Sequence, residues 1–206
     1  MRNDTIETFL TALAERVPAP GGGASAGLHA GQAAALVAMV ARYSDSAACA
    51  QHAEVIDSVR TGADQLRQHA LTLAEDDMRA FTAVTDAYRM PKSTESEAVQ
   101  RSAAIGDAMV AAAEVPARVI DVAGRVLALA EDLLPIGNPN VITDVAAAAE
   151  AARAAATTAR VNVEINLGGI RNPQTRETLM NVIGTVDDVG RRTEKVSAAV
   201  REQVTS

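Results

Sequence analysis

Hydrophobic positions recur along the chain at steps of three, four and seven residues, which is the spacing of helix faces. The first predicted helix covers residues 3–16, and its apolar face is formed by Ile6, Phe9, Leu10 and Leu13. Residues 47–89 predict a long helix with a continuous apolar seam, formed by Val59, Leu66, Ala70, Leu73, Phe81, Val84 and Tyr88. One acidic residue, Asp77, lies on that seam. The pattern predicts an all-α fold.

Prolines, glycines and capping residues mark the ends of the predicted helices. Thr94 followed by Glu97 is typical of a capping box, and Asn138-Pro139 is typical of a helix start. Pro116 is expected to divide two helices, because proline has no backbone N–H to donate. About seven helices result, over residues 3–16, 24–43, 47–89, 94–115, 116–134, 138–167 and 173–204. No linker or repeat interrupts them, so we expect a single-domain helical bundle over residues 1–206.

One segment conflicts locally with this picture. Residues 161–167 alternate between apolar and polar side chains, a pattern that favours a β-strand. We still predict a helix here, because no other segment offers this strand a pairing partner.

One uncharged segment is long enough to cross a membrane, but its composition argues against a membrane span. Residues 18–41 carry no fixed charge, but glycine and alanine dominate them, which favours a buried core helix over a membrane span. Hydrophobic residues make up 48% of the chain and aromatic residues only 2%. Since a domain with so few aromatic residues often gains core by association, we expect a homodimer.

Charge and cysteine usage narrow the classes of partner. The net charge of −7 and the lack of a basic patch argue against nucleic-acid binding. Cys49 is the only cysteine, which fits a reducing compartment, and the polar N-terminus does not resemble a secretory leader. We therefore expect a cytoplasmic protein. His29, His52 and His69 show no metal-ligand spacing, so no metal site is predicted.

Asp77 is the most informative candidate for chemistry. An aspartate between Leu73 and Phe81 on an apolar seam is removed from water, which raises its pKa and suits it to proton transfer near neutral pH. The alternative is a structural aspartate paired with an arginine. Pattern alone leaves both interpretations open.

Three polar or glycine-rich segments are weaker candidates. Gly21, Gly22 and Gly23 precede a helix and either bind a ligand carboxylate through free N–H groups or only let the helix pack closely. A second group, comprising Asn138, Asn140 and Asp144, either binds a ligand or caps the helix that follows. Asn162 and Asn166 share one helix face, where they either bind a heterocycle or cross-link helices.

These segments, in this order, resemble the formiminotetrahydrofolate cyclodeaminase / methenyltetrahydrofolate cyclohydrolase family. The resemblance covers nearly the whole chain and rests on TIETFLTAL (5–13), PAPGGG (18–23), DMRAF (77–81), YRMPKST (88–94), EVP (114–116), GNPNVITD (137–144) and NVEINL (162–167). It implies an all-helical dimer with a folate substrate at or near the subunit interface. It also implies that no metal or redox cofactor is needed.

The resemblance assigns roles to particular residues. The family's catalytic aspartate falls on Asp77, and Asp144 is implied as a second catalytic carboxylate. The implied substrate-binding residues are Gly21, Gly22, Gly23, Lys92, Arg101, Asn138, Asn140 and Asn162. The expected activity is hydrolysis of methenyltetrahydrofolate or cyclising deamination of formiminotetrahydrofolate, with Asp77 moving the proton.

The chain also departs from the family pattern. Residues 46–50 contain no lysine where relatives carry a lysine-rich run, and Ala104 and Gly106 replace a lysine and a glutamine. His29 and Gln32 replace small residues. These changes keep two alternatives open: a diverged relative that acts on or binds another small molecule, and a non-catalytic dimerisation module.

Overall fold

The computed structural model describes residues 1–205, apart from the side chain of Ala48, and the described chain is helical with no β-strand. Its α-helices are α1 (Ile6–Ala14), α2 (Gly22–Arg42), α3 (Ala53–Arg89), α4 (Glu95–Leu133), α5 (Thr143–Leu167), α6 (Pro173–Gly184) and α7 (Val186–Thr205). Two 3-10 helices, Ala47–His52 and Pro139–Val141, precede α3 and α5. The all-α prediction is confirmed. Ser206 lies outside the described residues.

Helices α2 to α5 form an antiparallel bundle around an alanine- and valine-rich core. The central helix is α2, which packs against α3, α4 and α5. A Cβ built on Gly27 would lie 2.8 Å from the Ala74 Cβ and 2.9 Å from the Ala74 backbone nitrogen, so glycine is required for α2 and α3 to approach this closely. The small side chains in segment 24–41 therefore allow α2 to pack closely against its neighbours inside the bundle.

Helices α6 and α7 cover the side of the bundle formed by α4 and α5. Buried Val189, Val196 and Val200 form the inner face of α7. Arg192 of α7 binds Glu131 of α4 through two side-chain hydrogen bonds of 2.9 and 2.6 Å. Apolar packing and a bidentate ion pair thus hold α7 in place.

The predicted division at Pro116 is wrong, since α4 is continuous through it. Proline lacks the N–H that would bond to the carbonyl of Ala112, four residues earlier. The side chain of Asn166 on α5 donates to that carbonyl instead, with an Nδ2–O distance of 3.1 Å. A neighbouring helix therefore satisfies the group that Pro116 leaves free, and the helix continues.

The last predicted helix, over residues 173–204, is divided at Thr185 into α6 and α7. Thr185 keeps near-helical dihedral angles (φ −76°, ψ −16°), and its N–H bonds to the Val182 carbonyl at 3.0 Å. If α6 and α7 are counted as one kinked helix, the chain described here has six helical segments, fewer than the predicted seven. Residues 161–167, whose alternating pattern favours a strand, are helical, so the prediction of a helix there is confirmed.

The uncharged segment noted in the sequence is largely interior. Helix α2 is long and apolar enough to cross a membrane by length and composition, but 61% of its apolar window is buried inside the fold. The predicted core helix is thereby supported. By contrast, α1 has an apolar composition and no buried residue, so it lies on the bundle rather than within it.

Candidate active site

The carboxyl group of Asp77 lies against the N-terminus of α2. A Cβ built on Gly23 would lie 1.9 Å from Asp77 Oδ1 and 2.6 Å from Oδ2, so only glycine leaves space for the carboxyl group. The N–H of Ala24, which has no partner within α2, donates a hydrogen bond to Asp77. Because the N-cap residue Gly21 has no side chain to cap the helix, Asp77 of α3 caps it from outside.

Burial raises the pKa of Asp77 above the usual aspartate range, against the lowering effect of the Ala24 N–H. No ion pair to Asp77 is found in the described chain, so the alternative of an arginine-locked aspartate is not supported. The neighbours differ: Glu75 pairs with Arg2, and Asp76 pairs with Arg79. Of these three consecutive acidic residues, Asp77 alone keeps a carboxylate free for proton transfer.

The seam of α3 opens at Asp77. Leu73, one turn before it, is completely buried, whereas the side chain of Phe81, one turn after it, is 45% exposed. Tyr88 is 52% exposed. The prediction that Leu73 and Phe81 both enclose the carboxyl group therefore holds on one side only. Phe81 therefore leaves that side of the seam partly exposed to solvent.

Asn162 joins this group from α5. A Cβ on Gly22 would lie 3.7 Å from Asn162 Nδ2, which places the amide beside the glycine turn. Asn162 Nδ2 donates to the Thr158 carbonyl at 2.9 Å, and its Oδ1 has no partner within residues 1–205. The structure thus brings together Gly22, Gly23, Asp77 and Asn162.

Asn138 and Asn140 lie at the opposite end of α2. Asn138 Nδ2 donates to the Tyr43 carbonyl at 2.7 Å, and the Asn138 N–H donates to Ser44 Oγ at 2.8 Å. Asn138 Oδ1 accepts from the Asn140 N–H at 3.0 Å. These bonds are structural, and they anchor the start of α5 to the end of α2.

Asp144 lies in the first turn of α5 at this second end. It is half-buried, and no hydrogen bond or ion pair to it is present in the part of the chain described. The 18 residues from Asp144 to Asn162 correspond to about 27 Å along α5. Within one chain, Asp77 and Asp144 therefore do not act on the same atom.

Two predicted cationic residues lie in a third region, beside the corner between α3 and α4. Arg101 donates to the Tyr88 carbonyl at 3.0 and 3.3 Å, and its guanidinium lies 5.6 Å from the centre of the Tyr88 ring. Lys92 is exposed. Tyr88 is 11 residues beyond Asp77, about 16 Å along α3.

Sequence reasoning missed two groups that the structure places at these ends. The Ala24 N–H, which holds Asp77, gives no side-chain signal; only the uncapped glycine start of α2 indicates it. Ser44 is buried and holds Asn138, and nothing in the sequence distinguishes it from other serines. Across residues 1–205 no three His, Cys, Asp or Glu side chains are close enough to hold a metal ion.

An antiparallel helical bundle with a partly desolvated, unpaired carboxyl group at an open helix start defines a class of protein suited to acid/base chemistry on a small molecule. The comparisons with known proteins give the family. The family profile "Formiminotransferase-cyclodeaminase" matches residues 5–184, and this chain belongs to that family.

Some relatives match this chain over their full length, and others match it over only one part of a longer protein. The methenyltetrahydrofolate cyclohydrolase of Methylorubrum extorquens is 34% identical over 204 residues, covering 98% of both chains. The formimidoyltransferase-cyclodeaminase of Rattus norvegicus is 28% identical over 168 residues, and the match spans only 30% of that longer protein. The crystal structure of formiminotetrahydrofolate cyclodeaminase from Thermotoga maritima has a TM-score of 0.82 at 28% identity, covering 98% of this chain and 96% of that one.

Proposed function

We propose that this protein converts one-carbon units on tetrahydrofolate, as a methenyltetrahydrofolate cyclohydrolase. The observation that carries the proposal is the unpaired, partly desolvated Asp77 carboxyl group at the open start of α2. Burial raises the pKa of this carboxyl group, which favours a role as the residue that accepts and returns a proton. The full-length relative named as a cyclohydrolase supports hydrolysis as the primary reaction.

The chemistry requires one residue that moves a proton. In methenyltetrahydrofolate, a cationic carbon bridges N5 and N10. Asp77 takes a proton from water as the water oxygen bonds to that carbon, and a tetrahedral intermediate forms. Asp77 then returns the proton to N5 as the bond from carbon to N5 breaks. The hydroxyl proton goes to solvent as the carbonyl forms, which yields 10-formyltetrahydrofolate.

Cyclodeamination is the second candidate, favoured by the structural similarity to the Thermotoga maritima cyclodeaminase. In that reaction N10 attacks the formimino carbon, and its proton passes to the formimino nitrogen. Asp77 gives that nitrogen a second proton, the bond from carbon to this nitrogen breaks, and ammonia departs to leave the methenyl bridge. Supplying methenyl- and formiminotetrahydrofolate separately and recording the methenyl absorbance distinguishes the two. We propose that neither reaction needs a metal or redox cofactor. Turnover is therefore expected to survive treatment with a chelator.

Asp77→Asn is the direct test. Asparagine keeps the size and the cap of α2 but cannot take up a proton, so turnover is expected to fall by about 10²–10⁴-fold. The matched control is Asp76→Asn, the adjacent residue, which pairs with Arg79 on the surface. Equal loss in both variants, or full activity in Asp77→Asn, contradicts the assignment.

We also propose a homodimer in the cytoplasm, with a folate site completed by two subunits. One end of α2 holds Gly23 with Asp77, and the other holds Asn138 with Asp144, about 30 Å away. A two-fold axis across the middle of α2 would place the second end of a partner subunit beside the first end. The folate would then bind between Asp77 and the partner subunit's Asp144.

Exposed apolar surface along α2 and α1 supports this pairing. In the C-terminal half of α2, Ala35 is exposed and Leu36 and Met39 are partly buried, and the side chain of the C-cap residue Tyr43 is 57% exposed. On α1, Ile6 and Leu10 are exposed although the helix is strongly apolar. Burying these residues against a second copy removes an unfavourable contact with water.

Mixing two inactive variants tests the shared site. Asp77→Asn and Asp144→Asn proteins are each expected to be inactive, but a heterodimer of the two contains one site with both natural carboxylates. Random exchange of subunits should restore about a quarter of the natural activity, since half of the dimers are mixed and each has one intact site. Absence of recovery after verified subunit exchange, or a monomer by light scattering, refutes the shared site.

A further inference from the structure

The side chain of Asn166 links α4 and α5 through two hydrogen bonds from one nitrogen. Asn166 Nδ2 donates to the Ala112 carbonyl of α4 at 3.1 Å and to the Asn162 carbonyl of α5 at 2.8 Å. Both acceptors are carbonyl oxygens, so the partners fix the orientation of the amide. Both hydrogens of this amide are therefore used, and α4 is tied to α5 at the turn that carries Asn162.

Pro116 is the reason that the Ala112 carbonyl needs a partner outside α4. It is buried within this helix, and any other residue at its position would donate a backbone N–H to that carbonyl. Because an unpaired carbonyl inside a bundle is unfavourable, α5 must stay close enough for Asn166 to reach it. Pro116 thus replaces a hydrogen bond within α4 by one between α4 and α5.

Asn162 is the residue through which this link reaches the candidate active site. Its Nδ2 donates to the Thr158 carbonyl at 2.9 Å and lies 3.7 Å from the position of a Cβ built on Gly22. Thr158, Asn162 and Asn166 follow one another at steps of four, so they form one stripe along α5. A shift of α5 at this turn therefore changes the distance between the Asn162 amide and the glycine turn of α2, where Asp77 is held.

We infer that Asn166 is a positioning residue that sets where the Asn162 amide lies relative to Asp77. The inference rests on the proposed function and on the predicted role of Asn162 in substrate binding. With its Nδ2 used within α5, Asn162 offers its unpaired Oδ1 to an N–H group of the substrate's heterocycle. Asp77 is held separately by the Ala24 N–H of α2, so loss of Asn166 should move the amide and leave the carboxyl group in place.

A second substitution separates positioning from a purely structural role. Pro116→Ala gives the Ala112 carbonyl a partner within α4 again, so it should recover most of the stability lost in Asn166→Ala, measured by urea unfolding. It does not restore the link to Asn162. The Pro116→Ala/Asn166→Ala protein should therefore keep a KM for methenyltetrahydrofolate raised about fivefold with kcat unchanged, the typical effect of one lost neutral hydrogen bond. Recovery of KM together with stability overturns the inference.

A double-mutant cycle tests whether the effect passes through Asn162. Asn162→Ala should raise KM by about the same factor, and adding Asn166→Ala to it should raise KM no further. Independent effects that multiply would contradict the inference. Arg176→Ala is the matched control, because the Arg176 guanidinium donates to the carbonyls of Leu167 and Ile170 at the same end of α5. This control should lower stability and leave KM unchanged; a rise in KM equal to that of Asn166→Ala overturns the inference.

Crystal structures of the natural and Pro116→Ala/Asn166→Ala proteins separate this inference from the catalytic one, because they need no turnover. The Asn162 amide should lie at a different distance from Gly22 in the variant, while Asp77 stays in place. That displacement supports the positioning role even if neither protein converts folate. An Asn162 amide that keeps its place beside Gly22 in the variant overturns the inference, whatever the activity of the natural protein.

Discussion

Replacing Gly23 with alanine tests how the site positions Asp77. The new Cβ would lie 1.9 Å from Asp77 Oδ1, whereas such contacts are essentially never closer than 3.0 Å. The carboxyl group must therefore move by about 1.1 Å. A displacement of about 1 Å in a reacting group typically costs about 10²-fold in rate. We expect kcat to fall by about that factor.

The effect on stability should be small, which separates displacement from misfolding. Alanine within a helix gains about 0.5–1 kcal/mol over glycine, and loss of the Asp77 cap costs about 1 kcal/mol. These contributions nearly cancel, so the midpoint of thermal unfolding should change by a few degrees at most.

The assay follows loss of the methenyl absorbance alongside thermal unfolding. Gly31→Ala is the matched control, because it makes the same change in the same helix with an ordinary 3.8 Å contact to Ala70. The control should keep the natural kcat. Full activity in Gly23→Ala would show that Asp77 need not occupy the observed position, and the positional argument would fail.

The burial of Asp77 and the hydrogen bond from Asn166 to the Ala112 carbonyl each give one further prediction. Because burial raises the pKa of Asp77, the folded protein holds this proton more tightly than the unfolded chain does, and stability falls as pH rises from the ordinary aspartate range through the raised pKa. Asp77→Asn should therefore be more stable than the natural protein at pH 7, with the difference vanishing below the ordinary range; thermal unfolding across pH checks this, and a constant difference contradicts it. Asn166→Ala should lower the free energy of unfolding by about 1–3 kcal/mol, because the Ala112 carbonyl loses its partner. In a Pro116→Ala background a backbone N–H replaces that partner, so the same change should cost less in urea unfolding; equal costs in both backgrounds would refute this account.

The sequence predicts a helix end correctly where neighbouring residues determine it. The prediction is wrong where a residue far along the chain determines whether the helix continues. Thr94 and Glu97 form the predicted capping box, with both reciprocal hydrogen bonds present. Pro116 was expected to end a helix, but the amide that rescues its turn belongs to Asn166, 50 residues later in the chain. The residues near Pro116 in the sequence therefore do not indicate that the Ala112 carbonyl has a partner on another helix. A tertiary contact therefore overrides a correct local rule.

In the candidate site too, the sequence predicts some features correctly and does not indicate those that depend on contacts between helices. The seam places Asp77 on the inner face of α3, and burial raises its pKa as the sequence predicts. The sequence did not show that Gly23 shapes space for this carboxyl group, because that role depends on how closely α2 approaches α3. Asn138 was expected to bind substrate, and its observed bonds hold Tyr43 and Ser44 together with the start of α5. Whether it also touches folate stays a prediction.

The spacing of motifs along antiparallel helices carries information that motif recognition alone does not. The glycine turn and the 138–144 segment both resemble parts of one family's site, yet α2 separates them by about 30 Å within one chain. Helix length fixes this separation, so no side-chain rearrangement closes it. Either the 138–144 segment serves structure only, or a second subunit brings it to Asp77. The subunit-mixing experiment decides between these two, because only the second predicts that two inactive variants recover activity together.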